Sequence, residues 1–215
     1  MYKKKSLFIT FEGIEGSGKS YQSQKLFNNL KKMNIPAILT REPGGTPGAE
    51  KIRRILLDDY FERDSVEQFD KYTDTMLYLA ARNEHIVNKI GPSLLRKKVV
   101  ICDRFIDSTE AYQVYGKGVD KNLVESIHNK ILRKIKPNLT FLLTVKISKA
   151  FQRLNKRKKK NRYDKFSRNF YSKVQKAFIK IASKNKNRYV VLDNSKDNNE
   201  AEELILKKFL SKFNR

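Results

Sequence analysis

One short segment limits what this chain can fold into more than any other: Gly13-Ile14-Glu15-Gly16-Ser17-Gly18-Lys19-Ser20. It satisfies the pattern G-x-x-x-x-G-K-[ST], follows the apolar run Leu7–Phe11 and opens a stretch of helical spacing. Glycines let consecutive backbone N–H groups turn inward around phosphate oxygens, and the following helix adds its positive end. Lys19 is expected on the β- and γ-phosphates and Ser20 on a magnesium ion. A chance glycine-rich turn would not carry strand, glycines, lysine and serine in this order. Residues Gly13 to Ser20 are therefore expected to bind a nucleoside triphosphate. That alone does not name the acceptor, because GTPases, motor ATPases and small-molecule kinases all carry such a loop.

The rest of the sequence fits a P-loop α/β fold. Short apolar runs at Leu7–Phe11, Ala37–Thr40, Val99–Cys102, Leu139–Thr144 and Tyr189–Leu192 read as strands buried on both faces. Helical stretches lie between them, near Lys19–Met33, Ala49–Leu57, Thr73–Ile90, Lys121–Ile135, Asn169–Ser183 and Glu200–Lys212. This alternation predicts a five-stranded parallel sheet flanked by helices. At 215 residues, with no repeat and no linker, a single domain over 1–215 is expected. Lys156–Arg168 is strongly basic and poor in aliphatics, which suggests an exposed segment, a short lid over about residues 153–168.

Composition narrows the class. The single cysteine, Cys102, leaves no internal disulfide and suits a reducing cytoplasm. No apolar run is long enough to span a membrane, and the basic N-terminus leads into a strand rather than a signal peptide. The net charge of +24 is compatible with polyanion binding, but the basic residues are dispersed and no nucleic-acid module accompanies them. Lysine and asparagine filling solvated positions is the simpler reading, so a nucleic-acid partner is not expected.

Several segments beyond the loop act together. They are Phe11-Glu12-Gly13, Thr40-Arg41-Glu42-Pro43-Gly44-Gly45-Thr46, Ala80-Ala81-Arg82, and Asp103-Arg104-Phe105 followed by Ser108, Ala111, Tyr112 and Gln113. In this order they closely resemble bacterial thymidylate kinases, from the first strand to about Asp193. The resemblance implies a dTMP pocket facing an ATP site, a flexible lid, Mg²⁺ as cofactor and a homodimer. On the acceptor side it implies that Tyr78 stacks on thymine, Arg82 hydrogen-bonds the base and Arg53 grips the dTMP phosphate. Arg54 competes with Arg53 for that role. Ser108, Tyr112 and Gln113 would line the nucleoside pocket, and Glu15 would approach the sugar 3′-hydroxyl.

Other roles follow from residue chemistry. Asp103 ends a strand beside the loop, where it can hold Mg²⁺ through water. Arg104 carries a fixed charge suited to bracketing acceptor and transferring phosphates. Gly16 stands where some family members place a catalytic arginine, so catalytic charge is expected from Arg153, Arg157 and Arg162, with Arg162 favoured. Asn161-Arg162-Tyr163-Asp164 and Lys117 depart from the family's usual lid and loop residues. His85 and His128 are expected at helix surfaces or interfaces. The alternatives are a kinase for another nucleoside monophosphate and a basic nucleic-acid-dependent ATPase.

Overall fold

The computed structural model describes residues 6–57, 69–157, 163, 166–196 and 198–214. All five expected strands form: β1 (Phe8–Glu12), β2 (Ala37–Arg41), β3 (Val99–Asp103), β4 (Leu139–Thr144) and β5 (Tyr189–Asp193). They make one parallel sheet in the order β2-β3-β1-β4-β5. The helices are α1 (Lys19–Lys32), α2 (Pro47–Leu57), α3 (Lys71–His85), α4 (Gly91–Leu95), α5 (Ile106–Thr109), α6 (Lys121–Ile131), α7 (Ile147–Asn155), α8 (Arg168–Ser183) and α9 (Glu200–Phe213).

The central strand β1 alternates its faces. Ile9 and Phe11 enter an apolar cluster that includes Leu26 and Leu30 of α1 and Phe209 of α9. Phe8 points the other way, into a cluster with Ile86, Ile90 and Phe105. Burial on both sides explains the unbroken apolar run. The edge strands differ from expectation. In β2 only Thr40 is fully buried, and in β5 Val191 is 51% exposed, because an edge strand has a neighbour on one side only.

Three helix boundaries also differ. α3 runs through a π-helical turn at Ile86–Ile90 directly into α4, so Pro92 does not end it. Proline is tolerated there because it sits in the first turn of the new segment, where a missing N–H breaks no bond. α6 stops at Ile131 rather than Ile135, since Arg133 and Lys134 take left-handed backbone angles of 48° and 67°. α7 was not expected at all. Ile147, Ala150, Phe151 and Leu154 recur at helical spacing and face the core beside α8. Capping fixes several starts: Asp70, Asp120 and Ser167 each accept a backbone N–H of the first turn.

What matters for the site is register. β1 lies between β3 and β4, and Phe11 pairs with Asp103. The glycine loop that leaves β1 and the Asp103-Arg104 turn that leaves β3 therefore emerge side by side at the carboxyl edge of the sheet. This placement depends on the packed strands beneath. Phe141 of β4 is fully buried, its ring 5.2 Å from that of Phe11. Phe141→Ala is expected to lower unfolding free energy by about 3–5 kcal/mol, read from urea denaturation; a loss below about 1 kcal/mol would show that the sheet does not depend on this contact.

Candidate active site

The loop from Gly13 to Ser20 wraps the start of α1. Gly18 precedes the helix with φ of 93°, and no side chain caps the helix end. The first-turn N–H groups are thus left for a ligand. Gly16 takes φ of 74°, and a Cβ there would stand 2.6 Å from the carbonyl oxygen of Ala150 in α7. No side chain fits at that position. The Lys19 ammonium is almost fully buried and donates to the Ile14 carbonyl at 2.7 Å and to Ser17 Oγ at 3.5 Å. Burial, with the nearby Arg104 charge, pushes its pKa down to about 8.

Across from the loop, Ser20 Oγ donates to Asp103 Oδ2, while Asp103 Oδ1 is buried without a hydrogen-bond partner among the described residues. A hydroxyl beside a carboxylate with an unsatisfied oxygen suits a hard divalent cation such as Mg²⁺. No cluster of three acidic, histidine or cysteine side chains exists among the described residues, so such an ion would also need ligand oxygens from the triphosphate.

Arg104 stands at the centre. Its backbone is left-handed, with φ of 71°. Its guanidinium donates to the Gly13 carbonyl at 3.0 Å, to Ser108 Oγ at 3.1 Å and to Glu15 at 2.8 Å, and it lies over the Tyr112 ring. The Tyr112 hydroxyl donates to the other Glu15 oxygen. Beneath them Glu12, which carried no assigned role, is fully buried. It accepts the Phe105 N–H at 2.7 Å and the Ser108 hydroxyl at 2.6 Å. Burial and the neighbouring Asp107 push its pKa up to about 8.

Above Glu12, the side chains of Lys19, Ser20, Asp103 and Arg104 line one cavity of about 210 Å³. Tyr78, Arg82, Ser108, Tyr112 and Gln113 form part of its wall, together with Glu15, Arg53 and Arg104. Arg53 donates to the Pro43 carbonyl at 2.6 Å, whereas Arg54 is exposed outside the cavity lining. Arg41 and Tyr163 also line the cavity and were not singled out. Tyr163 is buried, edge-on to Tyr78 and Tyr112, so the segment expected to be exposed places this residue inside the pocket. Of the three lid arginines, Arg157 reaches the cavity. Arg153 instead donates to the carbonyls of Gly16 at 3.0 Å and Asn194 at 2.8 Å, tying α7 to the loop and to the turn after β5. Arg162 lies outside the described residues.

The face of α3 toward the site is polar. Met76 and Ala80 are exposed, while Asp74, Thr75, Arg82 and His85 are buried. Glu42 receives Arg82 Nε at 2.7 Å and His85 Nδ1 at 3.1 Å, and His85 Nε2 meets Thr40 Oγ1 at 2.7 Å. His128 is also buried, against Arg82. Of the two placements expected for the histidines, helix surface or interface, both take the interface and complete hydrogen bonds around Arg82. Burial works against the Glu42 carboxylate, but Arg82 and His85 outweigh it and hold its pKa below the ordinary value.

A family model described as thymidylate kinase matches residues 11–205. The chain belongs to the thymidylate kinase family. It is similar to the thymidylate kinase of Wolbachia pipientis wMel, 42% identical over 204 residues that cover 93% of this chain and 98% of the relative. It is 38% identical over 208 residues to that of Mycoplasma capricolum subsp. capricolum, covering 94% and 95%. The crystal structure of thymidylate kinase from Ehrlichia chaffeensis superposes with a TM-score of 0.74 at 35% identity, covering 95% of this chain and 99% of that one. Family membership and the five-stranded parallel P-loop fold thus agree with the sequence motifs.

Glu12 provides a test of the buried network under the site. Its folded-state pKa lies above that of an unfolded glutamate, so between the two values the folded protein holds a proton that the unfolded chain has lost. This contribution to stability is full below about pH 4.5 and is lost as pH rises through about 8. Urea midpoints are therefore expected to fall between pH 5 and pH 8.5 more steeply in the wild-type protein than in Glu12→Gln. Parallel profiles would show that Glu12 is not the titrating group.

Proposed function

We propose that the chain transfers the γ-phosphoryl group of ATP directly to the 5′-phosphate of dTMP, forming dTDP and ADP. The observation that carries this reading is the shared cavity. One enclosure is lined by the triphosphate-loop residues Glu15, Lys19 and Ser20, by the cations Arg53 and Arg104, and by the base-sized wall of Tyr78, Arg82 and Gln113. Donor phosphates and an acceptor nucleotide can be held against each other there without a separate carrier.

The transfer breaks the bond between the γ-phosphorus and the β,γ-bridging oxygen and forms one to an oxygen of the dTMP phosphate. The acceptor is already an anion, so neither a strong base nor a covalent intermediate is needed. Positioning and charge neutralisation supply the catalysis. The loop N–H groups from Gly13 to Gly18 and the Lys19 ammonium hold the triphosphate. Ser20 and Asp103 would hold Mg²⁺, which when bound offsets negative charge on the phosphate oxygens. Arg53 holds the acceptor phosphate, and Arg104 faces both phosphates from its anchorage on Gly13 and Glu15. Arg157 and Arg162 bring positive charge from the lid, and Arg153 keeps α7 seated on the loop.

On the acceptor side Tyr78 stacks on thymine and Glu15, held by Arg104 and Tyr112, receives the sugar 3′-hydroxyl. Two copies of the chain pair; the family resemblance supports this.

A coupled assay of ADP release tests the reading across dTMP, dUMP, dCMP, dGMP and single-stranded DNA. Release is expected with dTMP and is expected to vanish in Lys19→Ala, with its circular dichroism unchanged. Greater turnover with dCMP or dGMP, or release stimulated by DNA without a monophosphate, would contradict it.

A further inference from the structure

Arg82 sits in the cavity wall with almost all of its hydrogen-bonding capacity engaged behind it. A guanidinium carries five N–H bonds and no acceptor. Nε donates to Glu42 at 2.7 Å and Nη2 to the Phe105 carbonyl at 3.0 Å. Nη1 meets Thr109 Oγ1 and His128 Nε2, each at 2.8 Å. The second N–H of Nη2 has no partner among the described residues. Arg82 is 2% exposed, and what it exposes belongs to the cavity.

His128 completes this arrangement from α6, an element with no other part in the site. Because the guanidinium can only donate, Nε2 of His128 must be the accepting, unprotonated nitrogen, which fixes the neutral ring with its proton on Nδ1. Its surroundings agree: burial and the Arg82 charge push the His128 pKa down to about 3. The guanidinium is planar, so holding Nε on one side and both N–H bonds of Nη1 on another fixes the direction of the remaining N–H.

We propose that His128 is a positioning residue for base selection: by accepting from Arg82 Nη1 it locks the guanidinium so that a lone donor faces the base pocket. A fixed donor can donate to a ring carbonyl but finds no acceptor in an amino group. Thymine and uracil present a carbonyl on either side of ring N3, whereas cytosine presents an amino group on one side, so the donor favours the first two. Sites built to hydrogen-bond a substrate discriminate this way because a mismatched analogue leaves a buried polar group unpaired. The inference rests on the thymidylate reading above and deepens it by naming a residue that enforces the base class.

Steady-state kinetics on wild type, His128→Leu and His128→Gln, with dTMP, dUMP or dCMP varied at saturating ATP and ATP varied at saturating dTMP, test the assignment. His128→Leu is expected to raise the KM for dTMP roughly tenfold, the scale of one charge-assisted hydrogen bond, with kcat within about threefold of wild type. The KM for ATP should not move, and the preference for dTMP and dUMP over dCMP should narrow by a similar factor. His128→Gln places an amide oxygen near the position of Nε2 and should restore both the KM and the preference. A folded His128→Leu with wild-type KM and wild-type dTMP-to-dCMP ratio overturns the proposal. So does equal loss in both variants of kcat and of both substrates' KM, which would mark a purely structural role. Wild-type protein that prefers dCMP or a purine monophosphate refutes the underlying thymidylate reading, and that result is visible before any variant is compared.

Discussion

Arg104 holds a left-handed backbone angle of 71° and sends its guanidinium back across the sheet edge to the Gly13 carbonyl and the Glu15 carboxylate. Such a conformation costs a non-glycine residue about 1–2 kcal/mol. Hydrogen bonds to Gly13, Ser108 and Glu15 offset that cost and at the same time join the triphosphate loop to the acceptor wall. The chain of contacts continues downward, from Ser108 to Glu12 and from Glu12 to the Phe105 N–H. Turn, loop and wall thus form one hydrogen-bonded unit. The pairing of β1 with β3 makes the contact possible, since it brings the two strand ends together.

A second buried network supports the opposite wall. Glu42 from the Gly-Pro-rich segment joins Arg82 and His85 of α3, and His128 and Thr109 close it from two further helices. Buried charges of this kind are tolerated only when their partners are in place, and removing one member leaves another exposed to desolvation. The result is a wall of rigid polar groups, with aromatic rings of Tyr78, Tyr112 and Tyr163 beside it. Rigid donors and flat rings suit recognition of a planar base.

The sheet and the loop were legible because their signals are local, while Arg53, Tyr78, Arg82, Ser108, Tyr112 and Gln113 of the cavity lining were reached only through the family resemblance. Buried parallel strands read as apolar runs, and Gly13 to Ser20 has a fixed spacing. The networks were not, because they join residues distant in sequence: Glu42 to Arg82, and Arg82 to His128. Apolar periodicity is a poor guide to α3, whose buried face carries Asp74, Thr75, Arg82 and His85 and leaves Met76 to solvent. Isolated histidines gave no hint of burial without their partners. Arg153 was assigned by composition to the lid, whereas its position on α7 directs it to two carbonyls. The helical spacing of Ile147, Ala150, Phe151 and Leu154 could have revealed α7 in advance.

The account turns on where the γ-phosphoryl group goes. A shared cavity with a triphosphate loop at one side and Arg53, Arg104, Tyr78 and Arg82 at the other implies direct transfer between two bound nucleotides. Phosphorus NMR of the protein with MgATP and dTMP follows every phosphate at once. The account predicts that ADP and the β-phosphorus signal of dTDP grow in equal amounts while orthophosphate stays at background. Orthophosphate growing with ADP while dTMP remains unchanged would contradict it, since the site would then be delivering the group to water.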